Sequence, residues 1–265
     1  MQWSRVKTIL IVILLLVDSF LLCMLGGKAV FAHHRKREMR QHIQTVLKKN
    51  DVTLAADMEI PETAMLPQLY IDRNRTKESE MAAALLGEAT ERSEDGEESR
   101  FESPKGMVIW NEKGEVQALI KDYDKPGNVQ LRTGAESLLQ KAGMLTPGLE
   151  WQEEDNTVRV SLRTAGYPVF NRQLEITFDE TTVKITGRWT FDTPYSIKSN
   201  LYAAYNPNDA LILFAGLCPD VQVQEIQPGL LLGDTAGNQL SLAPVWRILT
   251  DNGEFFVDPL KKSIL

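Results

Sequence analysis

Residues Thr8 to Leu25, TILIVILLLVDSFLLCML, are 18 consecutive positions that carry one charge. Coiled as a helix at ~1.5 Å per residue, such a run is about 27 Å long, close to the hydrocarbon core of a bilayer. It exceeds the ~7–15 residues usual for the apolar part of a secretory leader. The sequence therefore predicts a transmembrane anchor over residues 8–27, preceded by a short cytoplasmic N-terminus, residues 1–7. Arg5 and Lys7 before the run fit that orientation. Lys28, Arg35, Lys36, Arg37 and Arg40 behind it pull the other way on a simple charge count, but long domains cross membranes largely regardless of flanking charge. Val30-Phe31-Ala32 matches a small-residue cleavage pattern, so removal as a signal peptide stays open. Cys23 follows Leu21-Leu22 and lacks the small residue that precedes a lipidated cysteine.

Asp18 falls just past the middle of the run. A charged side chain at that depth costs about 2.5–3.5 kcal/mol on insertion scales, so it should face protein or be protonated. Ser19 adds a neighbouring hydroxyl and Cys23 lies about one turn further on. These three residues are the candidate contacts to a partner helix. A tolerated polar residue in a lone anchor is the alternative.

Composition removes much chemistry from the rest of the chain. The net charge of −7 offers no basic face for phosphate, so nucleic acid is not expected as a partner. Two cysteines exclude a disulfide-stapled scaffold. The three histidines stand at 33, 34 and 42, so Ser-His-Asp, Cys-His and histidine-bearing zinc chemistry are excluded beyond residue 42. His33, His34 and His42 themselves read as solvated residues, because no carboxylate or cysteine cluster accompanies them. No phosphate-cradling glycine loop, dinucleotide fingerprint or metal-ligand cluster occurs, and no cofactor is expected. Cys218 reads as a small apolar residue at a helix end, and Ser196 to Lys198 is one residue too close for a Ser-x-x-Lys pair. Catalysis by paired carboxylates stays open, since acids are plentiful and their pairing in space is invisible in sequence.

Residues 28–50 predict a juxtamembrane helix, with Met39, Ile43, Val46 and Leu47 at helical spacing. Residues 51–105 read as a connector broken by Pro61 and Pro67, with a short helix over 76–87 and an acidic, mobile loop over 88–102. A first sheet-and-helix unit spans 106–200. Met107–Asn111 and Val116–Ile120 form a hairpin, and Thr133-Gly134-Ala135-Glu136 reads as a capping box for a helix ended by Gly143 and Pro147. Val158, Val160 and Leu162, then Leu174, Ile176 and Phe178, then Val183, Ile185, Trp189 and Phe191 alternate with polar residues, the pattern of an antiparallel sheet wet on one side. A second unit spans 201–265. Asn206-Pro207-Asn208-Asp209 opens a helix whose apolar Ala210–Ala215 stretch predicts burial all round, and strands follow near 221–226, 230–232, 245–249 and 255–257. The strand aromatics, Trp189 and Trp246 among them, read as core rather than a ligand cage. The expected fold class is thus α+β: a transmembrane helix, then an extracytoplasmic body of two antiparallel-sheet-plus-helix units.

Three segments carry a family resemblance. The opening Met1-Gln2-Trp3-Ser4-Arg5-Val6-Lys7-Thr8-Ile9 before an apolar span containing Asp18, the Tyr167-Pro168-Val169-Phe170-Asn171 segment, and Ala243-Pro244-Val245-Trp246-Arg247-Ile248 with Gly253-Glu254-Phe255-Phe256-Val257 are similar to the YycI regulatory family. The resemblance implies a single-pass membrane protein of a Gram-positive-type bacterium, folded outside the cytoplasm. It implies an accessory regulator of a WalK (YycG) type sensor histidine kinase that controls cell-wall metabolism, working with a YycH-like partner and contacting the kinase partly through membrane helices. It implies no catalytic residues. The acidic stretch over 88–102 and the heavy basic cluster after the span depart from what the resemblance leads one to expect. An anchored cell-wall hydrolase and a binding or protease-inhibitor module are the alternative functions.

Overall fold

A computed structural model describes residues 7, 13–20, 43–88, 90–94, 98–123, 131–197, 202–234 and 238–265. The chain is α+β, with a continuous fourteen-stranded sheet as its frame. Its first body helix, α1 (43–49), seats Ile43 and Leu47 in a core. Then come β1 (Thr53–Leu54), β2 (Ala64–Pro67), β3 (Leu69–Asp72) and α2 (Arg75–Leu86). The meander β4 (Thr90–Glu94), β5 (Glu98–Ser103), β6 (Gly106–Trp110), β7 (Glu115–Lys121) leads to α3 (Leu131–Lys141). A second meander follows: β8 (Leu149–Glu154), β9 (Thr157–Thr164), β10 (Tyr167–Phe178), β11 (Thr182–Arg188). After β12 (Tyr202–Tyr205) and α4 (Pro207–Leu217) comes a third: β13 (Gln222–Asp234), β14 (Gln239–Thr250), β15 (Gly253–Asp258), β16 (Ser263–Ile264).

Three times, therefore, a helix precedes a four-stranded meander in which every consecutive pair is antiparallel. The sequence had suggested two such units. The further unit joins α2 and the β4–β5 hairpin to the β6–β7 hairpin, which the sequence assigns to the first unit, and β4–β5 occupies the acidic stretch expected to be a mobile loop. Glu91 pairs with Phe101 and Arg92 with Arg100 across that hairpin. Phe101 and Ser99 point inward while Glu98, Arg100 and Glu102 stay outside. Charge on alternate positions is compatible with a strand, and composition alone could not show the alternation.

The first two meanders join through β7 and β11 into one eight-stranded run, ordered β4-β5-β6-β7-β11-β10-β9-β8. Met81 and Leu85 of α2 and Leu138 and Leu139 of α3 close one core with Val158, Val160, Leu174, Ile176, Phe178, Val183, Ile185 and Trp189. All eight of those residues, Trp189 just past the end of β11 included, are the ones alternation predicts to face inward. The hairpin at 111–115 also forms as expected: Gly114 takes φ +75°, and Asn111 Oδ1 accepts from the backbone of Lys113 and Glu115.

A second core gathers Ile43, Leu47, Leu66, Phe214, Trp246 and Ile248, and a third, smaller one includes Leu69, Ile71, Leu230 and Leu242. Residues 51–72 are thus not a connector. β1 adds in parallel to β13, β2 pairs with β12, and β3 pairs with β14. Pro67 sits at the last position of β2, where a missing N–H is tolerated. Likewise 43–49 packs into the body, and the rest of the expected juxtamembrane helix, 28–42, lies outside the described residues. Burying Ile43 and Leu47 fully contributes about 1.5–3 kcal/mol each. Two helix predictions need correction. Thr133 lies inside α3, which begins at Leu131, and Glu136 pairs with Arg132 one turn back. α4 is capped by Asn206 as expected, but Ile212 and Leu217 are exposed, so only one side of it is buried.

Candidate functional site

The two halves of the sheet meet in β10. Its Val169 pairs in parallel with Leu230 of β13, while Leu174–Phe178 pairs with β11 and β9. The register breaks between Pro168 and Gln173, and Phe170, Asn171 and Arg172 occupy the break. Each replaces a lost ladder contact in its own way. Asn171 mimics a peptide: its Nδ2 donates to the Leu232 carbonyl and its Oδ1 accepts from the Leu232 amide, both at 2.7 Å. Phe170 packs against Gly229, where an added Cβ would stand 2.4 Å from the ring and 2.9 Å from the Pro168 carbonyl oxygen. Glycine is required there by close approach, not by backbone dihedrals.

Across Phe170 lie Phe256, with ring centroids 5.4 Å apart, and the Arg247 guanidinium, 5.3 Å from the Phe170 centroid. Arg247 also reaches Glu225 at 3.1 Å and Glu254 at 3.4 Å. Leu230 faces both Val169 and Pro244. The two Pro-Val-aromatic segments singled out in sequence are therefore brought together on either side of β13.

Arg172 turns to the other side and is buried. Its guanidinium stacks 5.1 Å from the Trp189 ring centroid and Nη2 donates to the Thr190 carbonyl at 2.5 Å. Nε, Nη1 and the Thr190 hydroxyl have no hydrogen-bond partner among the described residues. Desolvation lowers the Arg172 pKa to about 10, so the side chain is still a cation at neutral pH. Period-two alternation back from Leu174 puts Arg172 on the inward side with Leu174, Ile176 and Phe178, and the guanidinium is accommodated there by stacking on Trp189 and donating to the Thr190 carbonyl.

A second set of contacts crosses the same joint. Asn74 caps α2 by accepting from the Lys77 amide, and its Nδ2 donates to Asp192, which follows β11. Lys77 Nζ lies 3.2 Å from Asp192. Tyr195 donates to Asp72 at 3.0 Å and accepts from Gln239 at 2.8 Å. Together these contacts fix β3 and α2 against the segment leaving β11. Such an arrangement holds two sheet halves at one angle.

The sequence-predicted contact residues lie elsewhere. Residues 13–20 are helical, and Asp18 and Ser19 are exposed on that segment. Cys23 lies outside the described residues, as do His33, His34 and His42. Among the described residues no helix is long and apolar enough to cross a membrane. The rest of the predicted span, 8–12 and 21–27, falls outside them. Cys218 is half-buried at the end of α4, and burial raises its thiol pKa, which keeps it protonated at neutral pH.

Carboxylate pairs do occur on the sheet surface. Glu154 and Glu175 flank Arg159, and Glu225 and Glu254 flank Arg247. A guanidinium stands between the members of each pair, and all four acids are at least 43% exposed. That geometry suits ion pairing on an open face rather than acid–base work, which needs one carboxyl desolvated. Among the described residues no group of three His, Cys, Asp or Glu side chains could hold a metal.

No protein-family model matches the chain, and no curated protein matches it. Among solved structures it is similar to an uncharacterized protein from Eubacterium rectale (TM-score 0.44, 12% identity, covering 84% of this chain and 98% of that one). It is also similar to the Bacillus megaterium YpeB C-terminal domain (TM-score 0.31, 11% identity, covering 74% of this chain and 98% of that one). At these scores neither likeness fixes a function.

Proposed function

We propose that this chain is a membrane-anchored, extracytoplasmic accessory regulator of a sensor histidine kinase of the WalK type, acting through protein contacts together with a YycH-like partner. The observation that carries the reading is Asp18. It is a lone carboxylate on an otherwise apolar helical run, joined to a body whose strand motifs resemble the YycI family. Supporting it, the acids bridged by Arg159 and Arg247 lie on open sheet surface and are already engaged.

The mechanism is one of differential binding. A regulator shifts a kinase only by binding one of its states more tightly than the other, and a coupling of about 1–3 kcal/mol changes occupancy roughly 5–150-fold. Asp18 supplies a contact that is satisfied only beside a partner, because an unpaired carboxylate in lipid is costly. A body with its halves locked at β10 supplies a fixed second contact outside the membrane. Asp18→Leu is expected to weaken co-purification with the kinase or the YycH-like partner and to change kinase output. Unchanged co-purification in detergent together with unchanged output would contradict the membrane-helix contact.

A further inference from the structure

The large exposed apolar side chains are unevenly distributed. Outside residues 13–20, nine such side chains are exposed among the described residues, and Leu145, after α3, is the one in the half built on α2 and α3. The others belong to residues 65 and 195–265. On α4, Ile212 and Leu217 face outward with Gly216, and Asp209 in the first turn is that helix's one charged residue. Beside α4, Phe255 of β15 meets Phe214 at 5.2 Å, and the turn after β15 exposes Leu260 at 59% with Lys261 and Lys262. Met65 and Tyr202 are exposed on the paired β2 and β12.

The same half is the one the tether enters. Ile43 and Leu47 of α1 share a core with Phe214 of α4. Only the 17 residues 26–42 separate Ile43 from the apolar run ending at Leu25, and they carry Lys28, Arg35, Lys36, Arg37 and Arg40 against one acid, Glu38. Lys48 and Lys49 are exposed on α1 itself. Apolar side chains flanked by lysines and a tyrosine, on a tether rich in arginine, match the headgroup–acyl boundary of an anionic bilayer.

We propose that the half of the body built on α1 and α4 rests on the lipid surface, with Ile212, Leu217 and Leu260 entering the interface. This rests on the anchored reading above and adds to it a fixed orientation of the body. In that posture the half built on α2 and α3 points away from the membrane.

The test uses the full chain in nanodiscs containing phosphatidylglycerol and nitroxide-labelled lipid. In a Cys23→Ser, Cys218→Ser background, a fluorophore is placed in turn through Leu217→Cys, Leu260→Cys, Leu145→Cys and Leu15→Cys. These four sites are exposed, so the fold tolerates the labels. Quenching at 217 and 260 is expected to exceed that at 145 by about threefold or more, since apolar groups at an interface sit ~5–10 Å into the boundary. Strong quenching at 15 with 217 and 260 no higher than 145 would overturn the docking and leave the anchor standing. Absent quenching at 15 would overturn the anchored reading and this inference with it. Unquenched 217 and 260 accompanied by dimers in detergent would assign the face to a second copy instead.

Discussion

Arg73 and Glu78 form a two-pronged ion pair, Nε to Oε1 at 2.7 Å and Nη2 to Oε2 at 2.8 Å, with each side chain 3% exposed. Arg73 leaves the end of β3 and Glu78 sits in the first turn of α2, so the pair ties the sheet half containing β14 to the helix covering the other half. Removing one partner strands a buried charge, which typically costs about 3–5 kcal/mol. Arg73→Met is therefore expected to lower stability by that amount, and Arg73→Met with Glu78→Met to recover most of the loss. Urea denaturation of the three proteins measures it; equal stability of wild type and the single variant would contradict the coupling.

Arg172 makes the opposite prediction. Among the described residues it has no acid partner, and two of its nitrogens go unmatched. Replacing an unpaired buried cation by an apolar side chain of similar length is often neutral or stabilising. Arg172→Met is expected to stay within about 1 kcal/mol of wild type or to gain stability. A loss as large as that of Arg73→Met would show that Arg172 has a partner of its own.

Gly229 and Phe170 form a contact that admits no methyl group. Gly229→Ala is expected to cost about 1–3 kcal/mol through overpacking. The obstruction is partly the Phe170 ring and partly the Pro168 carbonyl oxygen, 2.9 Å from the added Cβ, so Phe170→Leu should relieve the ring's share alone in the double variant. A fully additive cycle, read from thermal or urea unfolding, would contradict the contact.

Tyr205 is buried next to the second core, and its pKa is pushed up to about 12, first by desolvation and then by the charge of Asp258. The unfolded chain releases this proton near pH 10, whereas the folded chain holds it until about pH 12. Stability from this residue is therefore full below pH 10 and falls as pH rises from 10 to 12. Tyr205→Phe removes a group that titrates, so its urea midpoint is expected to fall less steeply over that window. Parallel curves for both proteins would exclude the linkage.

Elements with strict alternation or explicit caps were readable from the residues: β9, β10 and β11, the β6–β7 hairpin, and α4 behind Asn206. What escaped were features decided by distant partners. β1, β2 and β3 are two to four residues long and exist because β13, β12 and β14 offer edges to pair with. The acidic β4–β5 hairpin is hidden by its composition. Half-exposure of α4 cannot be told from full burial when every side chain from Ala210 onward is apolar. At the joint, Phe170 and Pro244 were visible as members of similar segments. Arg172 shares the inward parity of Leu174, Ile176 and Phe178, but its residue type alone reads as a solvated strand arginine.

Crosslinking in the native membrane, with a photoreactive residue in place of Ser19 beside Asp18 and identification of the captured chain, tests the account most directly. The account predicts recovery of a sensor histidine kinase or its YycH-like companion, reduced when Asp18 is changed to Leu. Capture of neither, or recovery of the chain free of the membrane, would contradict it.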